Sequence, residues 1–237
     1  MTTIAIIVLL AVAIGVIRII AFFMISNKGR KLLRVPITAG PAGVRETMKK
    51  LNAQQQDLDL ALGLSTDINQ IEILLDVGAN PHHQYGTTGF NSWSAATSAA
   101  LQGQSELLKL FLDRGTSSNT RMDGAGAEIS ILEFACLGGN MDCVTMLCER
   151  GAEVNYRNLK GEFALLYAAA CGHLDIVEYL CNRGADPLQE DNAGRRAVDW
   201  AQRTIVSDEQ LKLLSQVGSV NKSQLQAVVN YLKDRTK

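Results

Sequence analysis

Residues Gly161 to Asp186 read GEFALLYAAACGHLDIVEYLCNRGAD, two short apolar-rich stretches separated by Gly172-His173 and closed by Gly184-Ala185. Val177 and Leu180 are three apart and share one face of a helix. Gly184 follows that helix, where a left-handed backbone position is cheap for glycine or asparagine and costly for other residues. The same ending occurs at Ile71–Gly78 (IEILLDVG), Leu108–Gly115 (LKLFLDRG), Val144–Gly151 (VTMLCERG) and Leu211–Gly218 (LKLLSQVG). Successive closing glycines are 37, 36, 33 and 34 residues apart, a period that marks a repeat array.

Aligned on those glycines, Ile71, Leu108, Val144, Val177 and Leu211 form one column. Leu74, Phe111, Leu147, Leu180 and Leu214 form another, three residues on. Two apolar rows on one helix face pack against both neighbouring repeats and build a core that no single repeat could bury.

On these residues the chain resembles the ankyrin repeat family from about Asp57 to Gly218. The specific marks are Gly172-His173-Leu174-Asp175, echoed by Gly139-Asn140-Met141-Asp142 and Gly103-Gln104-Ser105-Glu106, and the pairs Gly78-Ala79, Gly151-Ala152 and Gly184-Ala185. The resemblance implies an all-α solenoid of about five helix-turn-helix repeats with short hairpin-like loops. The family's T-P-L-H turn is not intact. Its positions read Ser94-Ala95-Ala96-Thr97, Ser130-Ile131-Leu132-Glu133, Phe163-Ala164-Leu165-Leu166 and Arg196-Ala197-Val198-Asp199, so the first helices are expected to be looser or differently capped. The first repeat, with Thr66-Asp67-Ile68-Asn69 in place of the glycine motif, is the least regular.

The resemblance also implies protein binding by finger loops and inner helices. Position by position this points to Leu159, Lys160, Glu162 and Ala170, then to Asn192, Ala193, Arg195 and Arg203. Two extended loops add candidates: Asn80–Trp93 carries His82, His83, Tyr85, Phe90 and Trp93, and Asn119–Glu128 carries Arg121 and Met122. Exposed aromatic and arginine side chains are common interface anchors; alternatively Phe90 and Trp93 fold inward and brace the first loop.

Upstream, Ile4–Ile25 is a block of 22 residues, apolar or glycine except for Arg18. As a helix it would span about 30 Å of hydrocarbon. No base precedes Arg18, and the block ends in Phe22, Phe23, Met24 and Ile25 rather than at a small-residue cleavage site, so a retained anchor is expected over a cleaved signal. Arg18 would either snorkel to the headgroups or pair with an acid of a membrane partner. Lys28, Arg30, Lys31 and Arg34 follow at once, which puts the N-terminus outside and the repeats in the cytoplasm. The first fifty residues hold eight of the 23 Lys and Arg but one of the 24 Asp and Glu. The acidic remainder argues against nucleic acid as a ligand.

The expected organisation is a transmembrane anchor over 1–27, a basic linker and N-terminal capping helix over 28–56, repeats over 57–218, and a C-terminal capping helix over 219–237. The first cap is read as Val44–Gln54 after Pro36 and Pro41, and the second opens with Ser223-Gln224-Leu225-Gln226, of capping-box form.

Catalytic chemistry finds little support. Cys136, Cys143, Cys148, Cys171 and Cys181 are odd in number and lack a C-x-x-C, against a disulfide framework or zinc site. Cys148 and Cys181 fall at one position of adjacent repeats and read as core filler. The histidines are His82, His83 and His173, too few for a histidine-rich metal centre, with the first two read as a solvated pair. No nucleotide-binding glycine loop is present. The expected function is a membrane-tethered protein–protein interaction module, a scaffold or adaptor held by residues 4–25, with an unknown protein partner and without catalytic activity, cofactor or small-molecule substrate. The alternative is an exported periplasmic repeat protein with a protective or stress role.

Overall fold

The computed structural model describes residues 31–65, 67–83, 94–124, 127–206 and 221–235. The apolar block 4–25 with Arg18, the loop residues Tyr85, Phe90 and Trp93, and the column members Leu211, Leu214 and Gly218 lie outside them. Among the described residues no helix is long and apolar enough to cross a membrane.

The described elements are α1 (Gly40–Leu51), α2 (Gln55–Leu64), α3 (Ile68–Val77), α4 (Ala95–Leu101), α5 (Ser105–Asp113), β1 (Arg121–Gly124), β2 (Ala127–Ser130), α6 (Ile131–Gly138), α7 (Met141–Glu149), α8 (Ala164–Cys171), α9 (Leu174–Asn182), α10 (Ala197–Val206) and α11 (Lys222–Arg235). Inner helices α2, α4, α6, α8 and α10 stack in order, and the outer helices α5, α7 and α9 form a second layer behind them. The array is mostly helical rather than all-α. The loop after α5 carries an antiparallel hairpin, with Arg121 opposite Ser130 and Met122 opposite Ile129.

Ile71, Leu108, Val144 and Val177 are fully buried, as are Leu74, Phe111, Leu147 and Leu180. Each such side chain contributes about 1.5–3 kcal/mol by leaving water. The inner layer is lined by small residues because the backbones there come close: a methyl group added at Gly138 would lie 2.1 Å from the Leu101 carbonyl oxygen of the preceding inner helix.

At three of the four inner helices from α4 to α10, side-chain caps stand where the turn histidine is missing. Ser94 and Thr97 reciprocate at α4, as Ser130 and Glu133 do at α6. Asp199 Oδ2 accepts the Arg196 N–H at 2.9 Å ahead of α10, while Phe163 gives α8 no side-chain cap.

Both ends differ from the expected boundaries. α1 begins at Gly40, with Pro41 in its first turn, where a missing N–H is harmless. It packs on α3. At the other end the cap pair is Asn221 with Gln224, not Ser223 with Gln226: Asn221 Oδ1 accepts the Gln224 N–H at 2.9 Å and Gln224 Oε1 accepts the Asn221 N–H at 3.1 Å. α11 covers the end of the stack, but in an outer-helix place, against α8, α9 and α10. A side chain added at Gly103 would strike Asn140, one at Gly139 would strike His173, and one at Gly172 would strike Leu225. Leu225 is therefore in register with His173 and Asn140, and Val229 and Leu232, both buried, continue the two apolar rows.

Candidate functional site

The fingers that join each outer helix to the next inner helix are tied to one another. Asn119 Nδ2 donates to the Gly151 carbonyl at 3.1 Å, and its Oδ1 accepts the Glu153 N–H at 2.8 Å. Arg121 reaches Glu153 at 2.9 Å and lies 4.1 Å from the Tyr156 ring centroid, while the Tyr156 hydroxyl donates to Glu128 Oε2 at 3.2 Å. In the next step Asn155 Nδ2 donates to the Gly184 carbonyl at 2.9 Å and Arg157 Nη2 to the Glu190 carbonyl at 2.8 Å. Asn192 then gives its N–H to the Lys160 carbonyl at 3.1 Å and its Nδ2 to the Leu159 carbonyl at 2.9 Å. Gly161, with φ +73°, permits that approach, since a Cβ there would sit 2.4 Å from Asn192 Oδ1.

At the tip of this ladder Leu159 is 75% exposed and Leu188 of the next finger 51%. Lys160 is partly exposed and Asn192 and Ala193 exposed, so these expected face positions meet on one edge. Others do not. Met122 is 1% exposed because side chains alternate along β1, which turns Arg121 outward and Met122 into the core. Glu162 and Ala170 are buried too, whereas Arg203 is exposed.

Arg195 is partly buried and committed to Asp191, with Nε and Nη2 at 2.7 and 2.6 Å from Oδ2. Trp200 Nε1 donates to the same oxygen at 3.0 Å. Burial would raise the Asp191 carboxyl, yet hydrogen bonds from Arg195, Trp200 and Ala193 hold it below its ordinary value.

His82 and His83 are half-buried rather than solvated. His83 Nδ1 lies 3.4 Å from Asp59 Oδ2, and burial lowers the His82 imidazole.

Beneath the finger tip lies a polar bracket that sequence reasoning missed. Glu162 Oε2 accepts the Tyr167 hydroxyl at 2.8 Å and Asn158 Nδ2 at 3.2 Å, and Asn158 Oδ1 accepts the Lys160 and Glu162 N–H groups at 2.9 and 3.0 Å. It fixes the turn that presents Leu159. Glu133, 1% exposed, faces the same region, and burial, then the charge of Glu162, push its carboxyl up to about 8 against hydrogen bonds from Ser130 and the attraction of Arg121. The signal available in sequence was a glutamate at the turn-histidine position.

The cysteines are free and buried. Burial pushes Cys171 up to about 12 and Cys143 up to about 11, which makes both poor nucleophiles.

Stacked helix pairs, glycine-closed outer helices and a finger ladder are the features of one family, and profiles of ankyrin repeats match residues 58–158, 99–191 and 132–223. The chain belongs to the ankyrin repeat family. This ankyrin array is also similar to a probable E3 ubiquitin-protein ligase, XBOS33, of Oryza sativa subsp. japonica, at 38% identity over 71 residues. That alignment takes in 30% of this chain and 14% of the rice protein. Ankyrin repeats point to protein–protein interaction as the function of the array.

Proposed function

We propose that the array is a non-enzymatic adaptor that holds a protein partner at a membrane, with the partner seated on the edge formed by Leu159, Lys160, Leu188 and Asn192. One observation carries this reading: Leu159, 75% exposed, is held on a finger braced from both sides by hydrogen bonds. Backbone ordered before binding reduces the entropy lost when the finger docks. Lys160 beside it favours a partner with an acidic rim.

Residues 4–25 supply the tether in this reading, with the array on the cytoplasmic side by the bases that follow them. Confinement to a thin layer raises the effective concentration of array and partner without new contacts. The test is a photoreactive residue at position 159 in the native host, with one at Asp175 as control, and a compartment-sensitive reporter fused after Lys237. A partner cross-linked from 159 and not from 175, together with a cytoplasmic signal, supports the reading. Equal cross-linking from both positions refutes the edge, and an exported signal refutes the orientation.

A further inference from the structure

The outer helices α3, α5, α7 and α9 all start at the end of the array away from the fingers, and this base is not uniform. At the first repeat the chain enters it. Gln70 Nε2, in the first turn of α3, donates to the Leu33 carbonyl at 2.6 Å and pins the stretch from Lys31 there. The 3-10 turn Ile37–Ala39 that follows packs on α3 as well. Ile37 is 45% exposed and Ile68, the first residue of α3, 39%. Lys31 and Arg34, in the same segment ahead of Ile37, are exposed.

Beyond Ile68 opens a groove of about 410 Å³ whose far wall includes Gln104, Ser105 and Glu106. From there the base is acidic: Glu106, Asp142 and Asp175 occupy the first turns of α5, α7 and α9, all exposed. Acids at helix N-termini are favourable for the helices themselves, so their presence alone names no ligand. The first-repeat end has an exposed acid too, Asp67 at the cap of α3, but it adds Ile37, Lys31 and Arg34, and it is where the polypeptide leads back to the block 4–25, six residues before Lys31.

We infer that the first-repeat end of the array rests on an anionic phospholipid surface, with Ile37 and Ile68 dipping among the headgroups and Lys31 and Arg34 on the phosphates, while the bases of the later repeats stand off. The inference rests on the tether reading above. Exposed apolar side chains on a segment that also carries bases suit the interface, where the acyl boundary takes the apolar part and anionic headgroups the charge. A like-charged row meets the opposite: within a Debye length of about 8 Å at physiological salt an anionic surface repels it. An array anchored at one end and repelled along the rest tilts outward, which carries the finger edge away from the bilayer and leaves it open to a partner.

The test uses the full chain reconstituted in vesicles of phosphatidylcholine and phosphatidylserine. An environment-sensitive thiol probe is placed on I37C, I68C, D142C and D175C in turn; the native thiols are buried, and unsubstituted protein provides the labelling blank. The expected result is a blue shift at 37 and 68 with loss of emission to brominated lipid, neither at 142 or 175, and reversal at 37 and 68 in K31E/R34E. Retention of the chain through an alkaline carbonate wash with all four probes equally wet, or equally quenched, overturns the inference while leaving the tether intact. The same shift in phosphatidylcholine alone overturns the anionic part. A chain that washes off the vesicles overturns the tether reading and the inference together.

Discussion

Arg235 donates from Nη2 to Asn182 Oδ1 at 3.1 Å, across 53 residues of chain. The same pairing joins Arg114 to Asp76 at 2.8 Å and Arg150 to Asp113 in the earlier repeats, across 38 and 37 residues. It places α11 as the outer helix of the last repeat. Leu232→Ala should therefore destabilise as a core truncation does, by about 2–5 kcal/mol, whereas Arg235→Ala, on an exposed pair, should change stability by less than about 1 kcal/mol. Chemical denaturation followed by circular dichroism reads both. A surface-sized effect at Leu232 would take α11 out of the cooperative core.

Leu147 is fully buried in the shared rows between adjacent outer helices. Leu147→Asp would bury an unpaired carboxylate there and is expected to abolish the cooperative unfolding transition, since such a loss exceeds about 3 kcal/mol. An unchanged melting curve would contradict the register of the whole array.

Glu133 gives the fold a pH dependence. Its folded-state carboxyl, pushed up to about 8, is protonated under conditions where the unfolded chain, at the ordinary 4.5, is ionised. The unfolded state therefore loses its proton first as pH rises. The stability this protonation supports is full below 4.5 and is lost by about 8, amounting to roughly 3–5 kcal/mol. Glu133→Gln keeps an acceptor for the Ser130 N–H and should flatten that decline. Denaturation midpoints at pH 5 to 8.5 test it, and a slope unaltered by the substitution would assign the dependence to other groups.

At the finger edge the expectation reverses. Leu159→Asp and Lys160→Glu alter exposed or partly exposed side chains, so melting should move by no more than about 0.5 kcal/mol, while affinity for a partner cross-linked from position 159 should fall about tenfold, or 1.4 kcal/mol. Isothermal titration with that partner reads the effect, and unchanged affinity would remove both residues from the interface.

The five cysteines should resist alkylation in the native protein and all react on denaturation, because the reactive species is the thiolate and burial disfavours it. Mass spectrometry after maleimide treatment counts them. A stoichiometric adduct on the folded chain would expose a reactive thiol that burial does not predict.

The sequence by itself determined the repeat. Leu108, Phe111, Val144 and Leu147 recur at helical spacing ahead of a glycine, and that pattern is local chemistry repeated, so it is legible one stretch at a time. It also yielded Leu159 as a face position and the prospect of altered caps at Ser94 and Ser130. Its fifth ending, Leu211–Gly218, lies outside the described residues, and the sequence did not mark Tyr231-Leu232-Lys233-Asp234-Arg235 as a helix in outer position. Only the fold decided that α11 takes the outer-helix place. The inward turn of Met122, the burial of Glu162 against Tyr167 and the capture of Arg195 by Asp191 and Trp200 were likewise tertiary outcomes. Periodicity reports which residues share a helix face, whereas burial depends on which surfaces meet in three dimensions, across 53 residues for Arg235 and Asn182 or across 5 for Glu162 and Tyr167, and a charged or polar side chain goes inside only where the fold brings it a partner.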